Sequence, residues 1–190
     1  MPPFPASELH KLGLAAHGPS VLISDKASFY NPGRISIGTR VRIDDFCILS
    51  AGAGGIRLGD HIHIAAYTSI IGAGAVEIED FANISSRVSI YSSTDDYSGA
   101  TMTSPMIPEK FKNVDDRPVH IGRHVIIGCG AVILPGVTLP DGVAIGAMSL
   151  VKSPCEPFTI YAGVPARPIG QRSRDLLRLE AEFRRDIGGE

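Results

Sequence analysis

Side chains able to do chemistry are few in this 190-residue chain. His61-x-His63 sets two imidazoles on one side of a strand, and His120 and His124 stand four apart. Zinc chemistry needs three convergent protein ligands and an open position, so these histidines leave a metal site as one alternative reading. Asp95, Asp96 and Tyr97 open a long irregular stretch rich in proline. A carboxylate or imidazole within hydrogen-bond reach of a poor nucleophile can take its proton. Asp95, His63 and His120 are therefore the candidate proton acceptors, with Asn83, Asp96 and Tyr97 as candidate substrate contacts. His10, His17 and His124 support no functional assignment. Cys47, Cys129 and Cys155 are far apart and odd in number, so neither a disulfide framework nor a CxxC site follows.

A six-residue repeat has to position these groups. Ile121, Ile127, Ile133, Leu139, Ile145 and Val151 are all aliphatic. The same register runs through Ile37, Ile43 and Leu49, then Leu58, Ile64 and Ile70, then Ile78, Ile84 and Ile90. The fifth residue of each hexad is small or β-branched, as at Val41, Cys47, Thr68, Ala82, Val88, Thr94, Val125, Ala131, Val137, Val143 and Ser149. A period of six fits neither an α-helix nor a plain alternating strand. It fits a short strand and a turn, three of which close a triangular coil. Coils stacked at ~4.8 Å bury one continuous aliphatic column.

The breaks in the period are as telling as the period. The extra residues in successive coils, Ala51 to Gly55 and Gly72 to Ala75, fall at one corner. The next interruption at that corner runs from Asp95 to about Val119, and a loop of that length inside a compact fold is usually functional. His63 and Asn83 are expected one above the other at a different corner. Residues 7–12 read as a short helix with Ser7 as N-cap and Gly13 behind it. Arg174–Ile187 reads as an amphipathic helix with Leu176, Leu177, Leu179 and Phe183 near one face. The expected architecture is all-β, with an N-terminal helical cap over 1–20, a β-helix over 21–172 carrying the loop 96–118, and a C-terminal helix over 173–190.

Composition agrees. Apolar residues make up 44%, with 21 Gly, no Trp and a net charge of −2. The core is thus aliphatic, and the balanced charge gives no reason to expect nucleic acid as a partner. No apolar run approaches the ~20 residues of a membrane span. The start Met1-Pro2-Pro3-Phe4-Pro5 lacks the basic-then-apolar pattern of a signal peptide, so a cytoplasmic protein is expected.

The segments Ile78 to Asp95 (IEDFANISSRVSIYSSTD), HIGRHVIIGCGAVILPGVTL from His120, and YAGVPARPIG from Tyr161 resemble the hexapeptide-repeat acetyltransferases. The likeness covers roughly residues 35–172. It is strongest to the maltose and galactoside O-acetyltransferases and to sugar acetyltransferases of surface-polysaccharide gene clusters. The resemblance implies a left-handed parallel β-helix, a homotrimer with active sites between neighbouring prisms, and acetyl-CoA as co-substrate with no metal. It implies that backbone groups at Gly128, Cys129, Gly130, Ala147 and Met148 hold pantetheine, and that Lys152 and Arg167 reach the CoA phosphates, with Arg172 a weaker candidate. The maltose and galactoside branch keeps a catalytic His just after the hexad that reads Ile90-Tyr91-Ser92-Ser93-Thr94 here. This chain has Asp95 at that point, and Ala65-Ala66-Tyr67 where that branch has an Asn.

An amine needs less help from a base than a hydroxyl, so the missing His shifts weight toward an amino-sugar acceptor, free, nucleotide-linked or lipid-linked. Two other readings compete with a sugar O- or N-acetyltransferase. One is a metal-dependent lyase like the γ-type carbonic anhydrases, which share the prism. The other is a non-catalytic scaffold.

Overall fold

The computed structural model describes residues 3–187 and shows a parallel β-solenoid of three faces. Face one carries six rungs: Ala16–His17, Ile35–Ile37, Ile56–Leu58, Val76–Ile78, Val119–Ile121 and Thr138–Leu139. Face two carries Leu22–Ile23, Arg42–Ile43, His63–Ile64, Asn83–Ile84, Ile126–Ile127, Ala144–Ile145 and Thr159–Gly163. Ala166–Gln171 then folds back antiparallel on the last of these as the outer edge. Face three carries Ser28–Tyr30, Ile48–Ala51, Ser69–Gly72, Ser89–Tyr91, Val132–Ile133 and Leu150–Val151. The first rung, Ala16–His17, lies within the stretch read as the N-terminal cap.

The repeat residues form the core as their spacing requires. Ile43, Leu49, Ile64, Ile70, Ile84, Ile90, Ile121, Ile127, Ile133 and Leu139 are fully buried. Each such side chain contributes roughly 1.5–3 kcal/mol relative to exposure. The fifth residues close the column at the corners, and where they are polar they are bonded. The Thr68 hydroxyl donates to the Ser85 carbonyl at 3.0 Å, and the Ser149 hydroxyl accepts from the Gly163 N–H at 3.1 Å. Thr94 is the exception. It is only half-buried, because the chain leaves the coil there and pairs antiparallel with Asp115–Asp116.

The residue before each fifth position takes a left-handed conformation. Arg40, Phe46, His61, Tyr67, Phe81, Arg87, His124 and Met148 all have φ between 55° and 63°. That conformation costs an L-residue ~1–2 kcal/mol, and the stack offsets it. All of these N–H groups except that of Phe46 bond the coil below, as His61 does to Thr39 at 2.9 Å and Phe81 to Asp60 at 2.9 Å. Their side chains pile up outside the corners. His61, Phe81 and His124 stack at 4.9 Å spacings with near-parallel planes. At the next corner Phe46 stacks on Tyr67, and Arg87 lies over Tyr67.

Two terminal details differ from the sequence reading. Ala6–Leu12 is a 3-10 helix whose N-cap is Pro5, with no side-chain cap bond, while Gly13 closes it at φ 68°. The C-terminal helix runs Asp175–Ile187, but Leu177 and Leu179 are exposed and Glu180 is buried at 8% exposure. Its docking residues are Glu180 and Phe183. Phe183 sets its ring edge-on to His61 and Phe81.

Candidate active site

The corner between faces three and one collects every long insertion. Its loop is tied down at the stem. The Ser93 hydroxyl accepts from the Ala73 N–H at 2.6 Å and donates to Asp116 at 2.5 Å. Beside this stem lies a cavity of about 380 Å³ lined by Tyr91, Ser93, Thr94, Asp95, Tyr97, Leu134 and Pro135. A smaller hollow of about 200 Å³ adjoins it, lined by Asp95, Asp96, Tyr97 and Thr103.

The two adjacent aspartates have different surroundings. Asp96 accepts from the Ser98 N–H at 2.8 Å, the Thr101 N–H at 3.0 Å and the Thr101 hydroxyl at 2.9 Å. Hydrogen bonds from Ser98 and Thr101 hold its carboxyl down at about 2. It is the residue that caps the loop. The Asp95 carboxylate has no hydrogen-bond or ion-pair partner among the described residues, and it borders both hollows. Tyr97 is 93% exposed beside it.

The histidines sit elsewhere on the chain. His63 is on a rung of face two rather than at a corner, in direct register with Arg42 below and Asn83 above. The stacking with Asn83 is as expected; the corner placement is not. His63 Nε2 lies 2.9 Å from Asp44 Oδ2, and Arg42 Nε donates to the other oxygen at 2.7 Å. Burial pushes the Asp44 carboxyl up, but the bonds from His63 and Arg42 outweigh it and hold it below the usual range. Sequence reading missed Asp44. The signal was its i, i+2 spacing from Arg42, which puts both on one side of the chain. His120 is on face one, one residue into the rung that follows the loop, with Nε2 2.8 Å from Glu79 Oε1. Neither His63 nor His120 lines the Asp95 cavity. His61 and His63 do not converge either, since one ring stacks outside a corner and the other bonds Asp44.

Gly128, Cys129 and Gly130 form the corner between faces two and three, and Ala147 and Met148 form the same corner one coil on. The Met148 N–H bonds the Cys129 carbonyl at 2.9 Å. A Cβ on Gly128 would lie 2.5 Å from the Ala147 nitrogen, so coil stacking already demands that glycine. Cys129 and Met148 are exposed. The N–H groups of Cys129 and Ala147 have no backbone partner among the described residues. Such groups on consecutive rungs fit the amides of pantetheine. Arg167, exposed, pairs in register with Ala162, and a Cβ on Gly146 would come within 3.0 Å of Ala162. Arg167 thus belongs to this corner. Lys152, also exposed, follows Leu150–Val151 at the loop corner. Arg172 is engaged in holding the fold together, donating to the carbonyls of His124 at 2.7 Å and Gly142 at 3.1 Å.

No protein-family model matches the chain. A dTDP-4-amino-4,6-dideoxy-D-glucose acyltransferase from Escherichia coli is 56% identical over 177 residues, covering 93% of this chain and 92% of that one. The chain belongs to the hexapeptide-repeat sugar acyltransferases. AntD, an N-acyltransferase from Bacillus cereus solved with dTDP and 3-hydroxybutyryl-CoA, matches this acyltransferase with a TM-score of 0.93 at 48% identity, covering 98% of each chain. A maltose O-acetyltransferase from Clostridium difficile 630 shares the fold alone, with a TM-score of 0.52 at 22% identity over 82% of this chain and 71% of that one. This hexapeptide-repeat acyltransferase uses an acyl-CoA donor and a sugar acceptor. The lyase and scaffold readings fall away.

Proposed function

We propose that the enzyme transfers an acyl group from acyl-CoA to the 4-amino group of a dTDP-linked 4-amino-4,6-dideoxyglucose. The observation that carries this is the near-full-length likeness to an enzyme named for that sugar. A second AntD structure, at 48% identity, holds the same sugar nucleotide and coenzyme A. The departure from the maltose branch supports the same reading, because an amine tolerates the loss of the imidazole base.

Asp95 is the residue that meets the nucleophile. A sugar amine arrives as an ammonium ion, and the unengaged Asp95 carboxylate draws it in and accepts one proton. The freed nitrogen attacks the thioester carbonyl carbon. A C–N bond forms, the C–S bond breaks, and the CoA sulfur leaves as thiolate and takes up the second nitrogen proton. Tyr97 and Asn83 contact the acceptor in this reading, and Asp96 holds the loop in shape. Cys129, Ala147 and their neighbours receive pantetheine and Arg167 reaches the phosphates from that corner, while Lys152 stands across face three at the loop corner.

A trimer completes the site. Asp95 and the His63–Asp44 pair lie on different sides of one prism, so they join one site only across a subunit boundary. The loop exposes Tyr97, Met102, Met106 and Phe111, which suits packing on a neighbour. We place the enzyme in the cytoplasm and in surface-polysaccharide synthesis; no described helix is long and apolar enough to cross a membrane.

The test is mass spectrometry of reactions with dTDP-4-amino-4,6-dideoxyglucose and acetyl-CoA or 3-hydroxybutyryl-CoA. The expected product gains one acyl mass and resists hydroxylamine, as an amide does. A hydroxylamine-labile ester, or acylation of neutral sugars alone, overturns the amine assignment.

A further inference from the structure

The closing hairpin spans the whole width of face two. Its tip, Gly163 to Ala166, lies at the corner of Gly128 and Met148, and its root, Gln171 and Arg172, lies at the opposite corner. The return strand Ala166–Gln171 is the outermost strand of the sheet and almost wholly exposed. It carries Arg167 beside the tip. Only one neighbouring strand holds it along its length, so its placement depends on how the root is fixed.

The root is fixed at His124, which is gripped twice. Arg172 donates to the His124 carbonyl at 2.7 Å, and the Arg172 N–H bonds the Phe158 carbonyl at 2.7 Å. The His124 ring bonds Glu180 at 2.6 Å. Glu180 also pairs with Arg123, and its other oxygen accepts from Arg184 Nε at 2.7 Å. Arg184 reaches on to Asp80 at 3.4 Å. A buried carboxylate with three nitrogen partners is a clasp, because removing it leaves the part-exposed Arg123 and Arg184 guanidiniums and the His124 ring without the one acceptor that ties them together.

We propose that Glu180 is a positioning residue for the donor: by clasping Arg123 and His124 it fixes the hairpin root, and so sets where Arg167 stands at the CoA corner. This rests on the reading that Arg167 meets the CoA phosphates. Removing Glu180 lets the return strand shift as a lever, with the root loosened and the tip displaced. Nothing in the acceptor cavity moves, since none of its lining residues touches the clasp.

The experiment is steady-state kinetics on Glu180→Gln, Arg167→Ala and the double variant, each confirmed as folded by melting. Glu180→Gln should raise KM for acyl-CoA roughly five- to tenfold, the size of one ordinary hydrogen bond lost, with kcat and acceptor KM unchanged. Arg167→Ala should raise it similarly, and the double variant should be no worse than Arg167→Ala. If Arg167→Ala leaves KM for acyl-CoA unchanged, the phosphate reading of Arg167 fails. If Arg167→Ala raises it and Glu180→Gln does not, or if the two effects multiply, the positioning role fails. Should Glu180→Gln not fold, Arg184→Gln weakens the same clasp from the exposed side. Hydrogen exchange in that variant should then speed up across Ala166–Gln171, and unchanged protection there overturns the proposal.

Discussion

The His124 imidazole and the Glu180 carboxylate meet at 2.6 Å across 56 residues of sequence, one on a solenoid corner and the other on the C-terminal helix. Burial opposes the charge on Glu180, but hydrogen bonds from His124, Arg184 and Arg123 hold its carboxyl at about 2, against an ordinary 4.5. A carboxyl depressed in the folded state adds stability above its unfolded value and loses it as pH falls toward the folded one. The wild type should therefore lose melting temperature between about pH 4.5 and 2. Glu180→Gln should start lower at neutral pH and show a flatter decline over that window. Parallel curves for the two proteins would refute the linkage.

Asp95→Asn should cut turnover by roughly 10²–10⁴ while leaving the melting temperature unchanged, because Asp95 makes no bond that holds the loop. Turnover near wild type in a stable Asp95→Asn protein would return the proton-accepting role to His63 or His120, or to no residue.

Asp96→Ala should behave in the opposite way. Its three bonds to Ser98 and Thr101 shape the loop. Limited proteolysis should nick residues 96–104 faster, and acceptor KM should rise more than donor KM. A change confined to donor KM would place the loop on the other half of the site.

Deleting residues 96–117 should abolish acyl transfer but spare retention on CoA-agarose, since the pantetheine corner lies across face three from the loop. Loss of retention with native mass would contradict this division.

Light scattering at micromolar concentration should give three times the chain mass. The loop apolars support this, Tyr97 being 93% and Met106 90% exposed on a single chain. A monomer that turns over substrate would rule out a shared site.

The aliphatic column was legible because the period of six repeats so often that chance cannot imitate it. The loop was legible because it breaks that period once, at a corner already marked by shorter insertions. The helix face was legible only in part. Its pattern points to Leu176, Leu177, Leu179 and Phe183, and Phe183 does dock, yet Leu177 and Leu179 are exposed and the ionic and aromatic corner wants Glu180 beside Phe183. Nothing in a hydrophobic pattern reports a buried carboxylate. For His63 the sequence reading is one step off, because a hexad's last residue looks like a corner residue, whereas the rungs begin there. The division of labour between Asp95 and Asp96 needed coordinates, since adjacent identical residues differ only in which one finds local N–H donors.

The placing of all long insertions at one corner bears on how such an enzyme can change. Two of the three edges are fixed rails whose hydrogen bonds never vary in phase. The third behaves as a socket. Its stem is a two-residue antiparallel pairing, Ser93–Thr94 with Asp115–Asp116, and whatever lies between can be exchanged without altering a single rung. Grafting a foreign segment between Asp95 and Asp115 should thus retarget the acceptor while the donor side is inherited intact.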